Sequence, residues 1–331
     1  MTAPRPTVLL ALVFGIGLAA PAQADDPLPS WNDSPAREAI IAFVEAVTTE
    51  GSPDFVPPGD RIAVFDNDGA LWCERPVYVQ AAFIADRVAA MVEDDPTLAE
   101  RPGFKAVLDR DLKALADLGE AGIADLVAAT HGGMTPEAFE AMARDWLATA
   151  RHPRFDRPYT ELTYQPMVEL VDFLRGHGFS TFIVTGGGVE FVRTFAEPAY
   201  GIPTQQVVGS TIALRFEMQG DEPTIVREPR ISFIDDGPGK PVGIQSHIGR
   251  RPILAVGNSD GDYEMLRWTT AGAGPRLGLI VHHTDADREY AYDRESPVGR
   301  LDRALDEAPD RGWVVIDMKR DWESIFPGSS R

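Results

Sequence analysis

The chain has 331 residues and a mass of 36.1 kDa, and 44% of its residues are hydrophobic, enough to fill a real core and to set aside intrinsic disorder. Its 31 Lys and Arg stand against 51 Asp and Glu, a net charge of −20 with no basic run, which argues against a nucleic-acid or anionic-lipid partner. A single cysteine, Cys73, leaves no intramolecular disulfide and no thiolate zinc cluster.

In chain order the first feature is a leader. Arg5 supplies a basic start, Val8 to Ala20 is apolar, and Ala22-Gln23-Ala24 is a small-x-small cleavage site before Asp25. Pro21 closes the apolar run short of the roughly 20 residues of a membrane span, and no cysteine follows it as a lipoprotein anchor would require. Residues 1–24 are therefore expected to be a signal peptide cleaved after Ala24. The mature protein, 331 − 24 = 307 residues, would be periplasmic or secreted and free of the membrane.

Beyond the leader, short apolar runs alternate with amphipathic stretches, the pattern of an α/β fold. Strands are predicted at Arg61 to Asp66, Ser180 to Thr185, Ile253 to Gly257, Leu277 to His282 and Trp313 to Met318, each a near-continuous apolar run suited to a parallel sheet buried on both faces. Helices are predicted at Ala36 to Thr48, Tyr78 to Glu93, Phe104 to Leu118, Gly122 to Ala129, Pro136 to Ala150, Pro166 to His177 and Val189 to Phe195. Four of them follow one another within residues 73–159, between the first two strands, too much chain for an ordinary crossover, so that stretch reads as an inserted helical domain. Residues 25–72 and 160–331 then form the sheet domain. Between Gln206 and Arg230 alternation replaces the apolar runs and predicts a β-hairpin.

Chemistry-bearing residues cluster at the carboxyl ends of strands, where open parallel sheets hold ligands. In Phe65-Asp66-Asn67-Asp68-Gly69 the i, i+2 spacing turns Asp66 and Asp68 to one side just past the first strand. Such a pair can hold a hard cation, or divide the work of nucleophile and proton carrier. An EF-hand register fails, because Val64 and Arg75 would occupy its first and last ligand positions. Thr185-Gly186-Gly187-Gly188 offers a hydroxyl and amides for phosphate oxygens at a strand-to-helix turn, while the dinucleotide fingerprint would need glycine where Phe191 stands. Lys240, one of four lysines, sits in the Gly/Pro loop Gly237 to Pro241 and can supply a compact positive charge. Gly257-Asn258-Ser259-Asp260-Gly261-Asp262 brings oxygen donors of the kind magnesium prefers.

These four segments, in this order and spacing, resemble the haloacid dehalogenase superfamily, and in particular its phosphoserine phosphatase-like branch. The resemblance implies a Rossmann-like core, a parallel sheet flanked by helices, with a helical cap inserted between the first and second motifs. It implies an exported, magnesium-dependent phosphomonoesterase in which Asp66 forms an aspartyl-phosphate, Asp68 serves as acid and then base, and Thr185 and Lys240 steady the phosphoryl oxygens. Metal ligands would be Asp66, the Asp68 carbonyl, Asn258 and Asp262, with Asp260 in or beside the set. Gly186, Gly187, Glu74 and Arg75 would contact substrate, with Trp72 beside them at the cap hinge. The substrate would be a small phosphorylated molecule, phosphoserine- or phosphocholine-like. Two positions depart from the family pattern: Ala70 replaces the usual threonine, and Asn258 stands where many relatives carry a metal-binding aspartate. A phospho-ligand binding protein or a phosphotransferase of the same fold are the alternatives. Near the end of the chain, His282, His283 and Asp285 are expected to make structural polar contacts under a loop.

Overall fold

The computed structural model describes residues 26–328; the expected leader lies outside them. Its strands are β1 (Ile62–Phe65), β2 (Ser180–Gly188), β3 (Val207–Gln219), β4 (Glu222–Phe233), β5 (Leu254–Gly257), β6 (Leu277–His282) and β7 (Val314–Asp317). They form one sheet in the order β4-β3-β2-β1-β5-β6-β7, parallel except for the β3-β4 hairpin. Helices α1 (Pro35–Thr48), α2 (Val79–Asp94), α3 (Pro102–Leu108), α4 (Leu112–Asp117), α5 (Gly119–His131), α6 (Pro136–Thr149) and α7 (Gln165–Gly176) precede β2. The rest are α8 (Val189–Arg193), α9 (Ala196–Tyr200), α10 (Gly239–His247), α11 (Tyr263–Thr270), α12 (Arg303–Arg311) and α13 (Met318–Asp321).

The central strands are apolar throughout because both faces are covered. Ala63 and Phe65 of β1 join Leu254 and Val256 of β5 in one cluster with Ile40 of α1 and Leu170 of α7. Their neighbours Ile62, Val64 and Ala255 point the other way, to Ile244 of α10, Leu266 of α11 and Ala304 of α12. With β1 between β2 and β5, the loops leaving these three strands meet at one edge.

Helices α2 to α6 all lie between β1 and β2. Val88, Phe104 and Leu126 give α2, α3 and α5 a small core of their own, whereas Phe139, Ala143 and Leu147 of α6 belong to the main cluster. The expected helix from Phe104 to Leu118 is broken: Arg110 takes a left-handed φ of 54°, and Asp111 caps α4 by accepting from Ala114 N at 2.9 Å. The predicted hairpin is present, and α5 packs along β4. Arg227 ties the two together: its N–H donates to Met134 O (2.9 Å) and its carbonyl accepts from Gly133 N (2.8 Å). Two local expectations change. The Gly237 to Pro241 segment is not only a loop, since α10 begins within it and carries Lys240 on its first turn. The three glycines after Thr185 continue β2 through a register shift instead of ending it in a turn.

Candidate active site

The loop after β1 is held in shape by its own backbone. Asp66 N donates to Val256 O at 2.9 Å, and Leu71 N donates to Asn67 O at 2.8 Å. Gly69 has φ +75°, and a Cβ there would lie 2.0 Å from Asn258 Nδ2, so this turn requires glycine. Lys240 enters from α10, almost wholly buried, and its three ammonium protons are all engaged: Asp66 Oδ1 and Asp262 Oδ1 at 2.6 Å each, and Val184 O at 3.0 Å. Burial opposes its charge, but the two carboxylates outweigh that and drive its pKa upward.

Asp68 lies beside Asp66 and accepts from the Trp72 indole Nε1 at 2.9 Å; that indole is stacked on Phe195 with centroids 4.3 Å apart. Burial raises the Asp68 carboxyl above its ordinary range, and the Trp72 and Asn67 hydrogen bonds pull it back. Asp66 is pushed up by burial and by Asp262, against the pull of Lys240. Thr185 is fully buried at the neighbouring strand, where its Oγ1 accepts from Gly187 N at 3.0 Å. Asp66, Asp68, Glu74, Lys240, Gly186 and Gly187 all border one cavity of about 440 Å³ that runs outward between the helical insertion and the hairpin.

The donor set fits a hard divalent cation. Three buried carboxyl groups, Asp66, Asp262 and Glu74, with half-buried Asp68 beside them, face one ammonium, an imbalance that a second cation corrects. Asn258 Oδ1 is buried without a hydrogen-bond partner while its Nδ2 donates to Glu74 at 2.8 Å, an orphaned oxygen ready for a ligand role. Among the described residues no three His, Cys, Asp or Glu side chains gather as a metal cluster, so such a site would lean on Asn258 and a backbone carbonyl.

The sequence model for haloacid dehalogenase-like hydrolases matches residues 63–267, well over half the chain. The chain belongs to this family. Among solved structures, this hydrolase is similar to a protein of unknown function from Bordetella pertussis Tohama I, with 17% identity and a TM-score of 0.51 over 78% of this chain and 98% of that one. A conserved functionally unknown protein from Anaerococcus prevotii DSM 20548 follows at 18% identity, TM-score 0.49, covering 75% and 85%. A phosphoserine phosphohydrolase-like protein from Francisella tularensis subsp. tularensis SCHU S4 has 15% identity, TM-score 0.38, covering 76% and 98%. Among curated proteins none matches.

Within the hydrolase, several expected site residues sit differently from their sequence reading. Asp262 was expected among the metal ligands, but both its oxygens are engaged: Oδ1 holds Lys240, and Oδ2 accepts from Asn258 N (2.9 Å) and Ser259 N (3.1 Å). It positions the lysine and the acidic loop, which narrows the candidate ligands to Asp66, the Asp68 carbonyl and Asn258. Asp260 points away and caps α12 through Ala304 N (2.9 Å) and Arg303 N (3.2 Å). Arg75 does not border the cavity; its guanidinium lies 5.2 Å from the Tyr292 ring centre and donates to Ser296 Oγ at 3.1 Å. Glu74 reaches the cavity floor, yet its Oε1 is held by Asn258 Nδ2 and by the Tyr292 hydroxyl at 2.7 Å, and burial keeps its pKa well above the usual range. That leaves it poorly placed to face an ammonium group.

Sequence reasoning missed the supports. Trp72 reads as a hinge residue in the sequence; its place four residues after Asp68 was the available signal that it orients that carboxylate. Behind the loop, His283 Nε2 lies 2.9 Å from Gly69 O and its Nδ1 3.3 Å from Glu289 Oε2, while Glu289 Oε1 accepts from Cys73 Sγ (3.0 Å) and Tyr164 OH (3.2 Å). His283 stacks on Tyr292 with centroids 4.4 Å apart. The expectation of structural polar contacts thus covers His283, whose partner is the loop of Asp66 and Asp68 itself; buried Ala70 leaves that loop no threonine hydroxyl.

Proposed function

We propose that this hydrolase is an exported, magnesium-dependent phosphomonoesterase that works through an aspartyl-phosphate on a small phosphorylated molecule. The observation that carries the reading is the pairing of Asp66, fixed by Lys240 at 2.6 Å, with Asp68, fixed by Trp72 at 2.9 Å, at the floor of one cavity. Asp66 attacks phosphorus through its oxygen facing the cavity, and the ester P–O bond breaks. Asp68, whose carboxyl burial raises above its ordinary range, gives its proton to the departing alcohol oxygen. Asp68, now ionised, takes a proton from water as that water attacks phosphorus; the P–O bond to Asp66 breaks and inorganic phosphate leaves. Lys240 neutralises Asp66 and the phosphoryl oxygens, Gly186 and Gly187 border the same space, and the buried Thr185 hydroxyl holds the Gly187 amide at 3.0 Å. Magnesium, held by Asp66, the Asp68 carbonyl and Asn258, would supply Lewis-acid charge for the phosphoryl group. Residues 73–159 act as a cap that closes over the substrate. Export rests on the leader ending at Ala24, and the mass of the mature protein tests it.

The test is phosphate release from an aryl phosphate with magnesium and with chelator, beside Asp66→Asn. Release that needs magnesium and disappears in Asp66→Asn is expected. A folded wild-type protein that releases phosphate from no ester under any metal would overturn the reading in favour of a binding protein.

A further inference from the structure

The cavity above the two aspartates has a character the reaction alone does not demand. Its outer walls are Ile84 of α2, Ile123 and Val127 of α5, Ile212 of β3, and Ile231 and Ile234 at the end of the hairpin. Most of the polar groups among them are engaged within the protein. Gln80 Oε1 accepts from Gly188 N at 2.7 Å and its Nε2 lies 3.4 Å from His131 Nε2; Thr211 Oγ1 pairs with Ser232 Oγ at 2.8 Å. Arg227 is ion-paired with Glu190, donates Nε to His131 O at 2.9 Å, and lies over the Phe139 ring at 3.9 Å. His131 is held neutral, its pKa pushed down to about 3 by burial and by Arg227.

Above the floor, then, the cavity presents a neutralised ion pair, a neutral histidine and aliphatic walls. A quaternary ammonium would meet the Phe139 face already occupied by a guanidinium, and an amino-acid zwitterion would leave both charges unpaired in an apolar space. Asp236, beside Gly186 and Gly261, is exposed, where water screens it. A cavity of about 150 Å³ holds one benzene, so 440 Å³ accommodates a phosphoryl group with an aromatic ring system or a medium alkyl chain.

We infer that the organic part of the substrate is uncharged and apolar, an aryl or medium-chain alkyl group seated between α2, α5 and the hairpin, in place of the phosphoserine- or phosphocholine-like group the family resemblance implies. This deepens the phosphomonoesterase reading and rests on it.

The experiment is a kcat/KM series on methyl, propyl, butyl, hexyl and 1-naphthyl phosphates, with phosphoserine and phosphocholine as charged comparators. Each added methylene is expected to raise kcat/KM about fourfold until the walls are filled, and both comparators should fall below propyl phosphate. A series flat in chain length, or one led by phosphoserine or phosphocholine, overturns the inference while leaving the phosphatase reading intact. Ile84→Ser and Ile231→Ser should each lower the hexyl-to-methyl ratio by several-fold; an unchanged ratio in folded variants also counts against it. Should the wild-type protein hydrolyse nothing, the phosphatase reading fails separately. Calorimetry of the wild-type protein with 1-naphthyl phosphate against phosphoserine and inorganic phosphate then decides the pocket: tighter naphthyl phosphate binding supports it, equal or weaker binding refutes it.

Discussion

Replacing Trp72 by phenylalanine removes a single N–H donor from Asp68 while leaving a ring in the stack on Phe195. A hydrogen bond to a charged group is worth about 1.5 to 3 kcal/mol, and 1.36 kcal/mol corresponds to one pKa unit, so the Asp68 carboxyl should titrate about one to two units higher. The sign is fixed because the indole stabilises only the ionised carboxylate. This rise adds to the one burial already imposes. In the proposed reaction, transfer of the phosphoryl group to Asp66 needs Asp68 protonated, so the alkaline limb of kcat/KM should move up by about one to two pH units. Where hydrolysis of the aspartyl-phosphate limits kcat, ionised Asp68 is needed, and the acid limb of kcat moves the same way. The assay is a pair of pH–rate profiles on an aryl phosphate with magnesium, wild type beside Trp72→Phe, with circular dichroism as the check on folding. The smaller ring also leaves a cavity costing about 1 to 3 kcal/mol, so a lower Tm is expected and says nothing about tuning. Limbs that stay where they are, whatever happens to the rate, refute the assignment of Trp72 as the residue that sets Asp68.

Two further substitutions probe buried charge. Asp262→Asn removes one of the two carboxylates that share Lys240 and sets an amide N–H among donors; breaking a buried ion pair costs about 3 to 5 kcal/mol. The Tm should fall on the order of 10 °C, and an unchanged Tm would mean that Asp66 and Val184 alone hold the lysine. Asp235 is buried with neither carboxyl oxygen hydrogen-bonded, and burial raises its pKa from 3.8 to about 7. A raised carboxyl pKa destabilises the fold as pH climbs from the unfolded value to the folded one. Asp235→Asn should therefore stabilise above pH 7 by up to about 4 kcal/mol and by little below about pH 4. Urea titrations at both pH values check this, and equal effects at the two would refute it.

The sheet was legible because its central strands are continuous apolar runs, and all five predicted parallel strands are found within a residue or two of their expected ends or extended beyond them. Helices α10, α11 and α12 were not, since α10 is short and opens with Gly-Lys-Pro, and α12 contains Pro309. The Asp66–Asp68, lysine and acidic segments were readable as dense polar residues at strand ends, and the fold brings Asp66, Asp68, Thr185, Lys240, Asn258 and Asp262 together. What each oxygen bonds was not readable. Asp260 and Asp262 look alike in sequence, yet one caps a helix and the other anchors a lysine, because the short helical turn at Asp260–Asp262 turns them to opposite sides. Arg75 failed as a substrate contact because Tyr292, over two hundred positions onward, offers its ring to the guanidinium.

The grip of His283 on the Gly69 carbonyl joins positions 214 residues apart. Contacts of such long sequence separation are among the last to be closed as a chain folds. The loop of Asp66 and Asp68 is short and local, but the group behind it arrives only when β6 and the segment after it have docked. His283, Glu289 and Tyr292 also lie beyond residue 267, where the family match ends. The shape of the loop that carries Asp66 and Asp68 is consequently a property of the finished molecule: the motifs can be in place, in order and correctly spaced, and one of the loop's supports still comes from the far end of the chain.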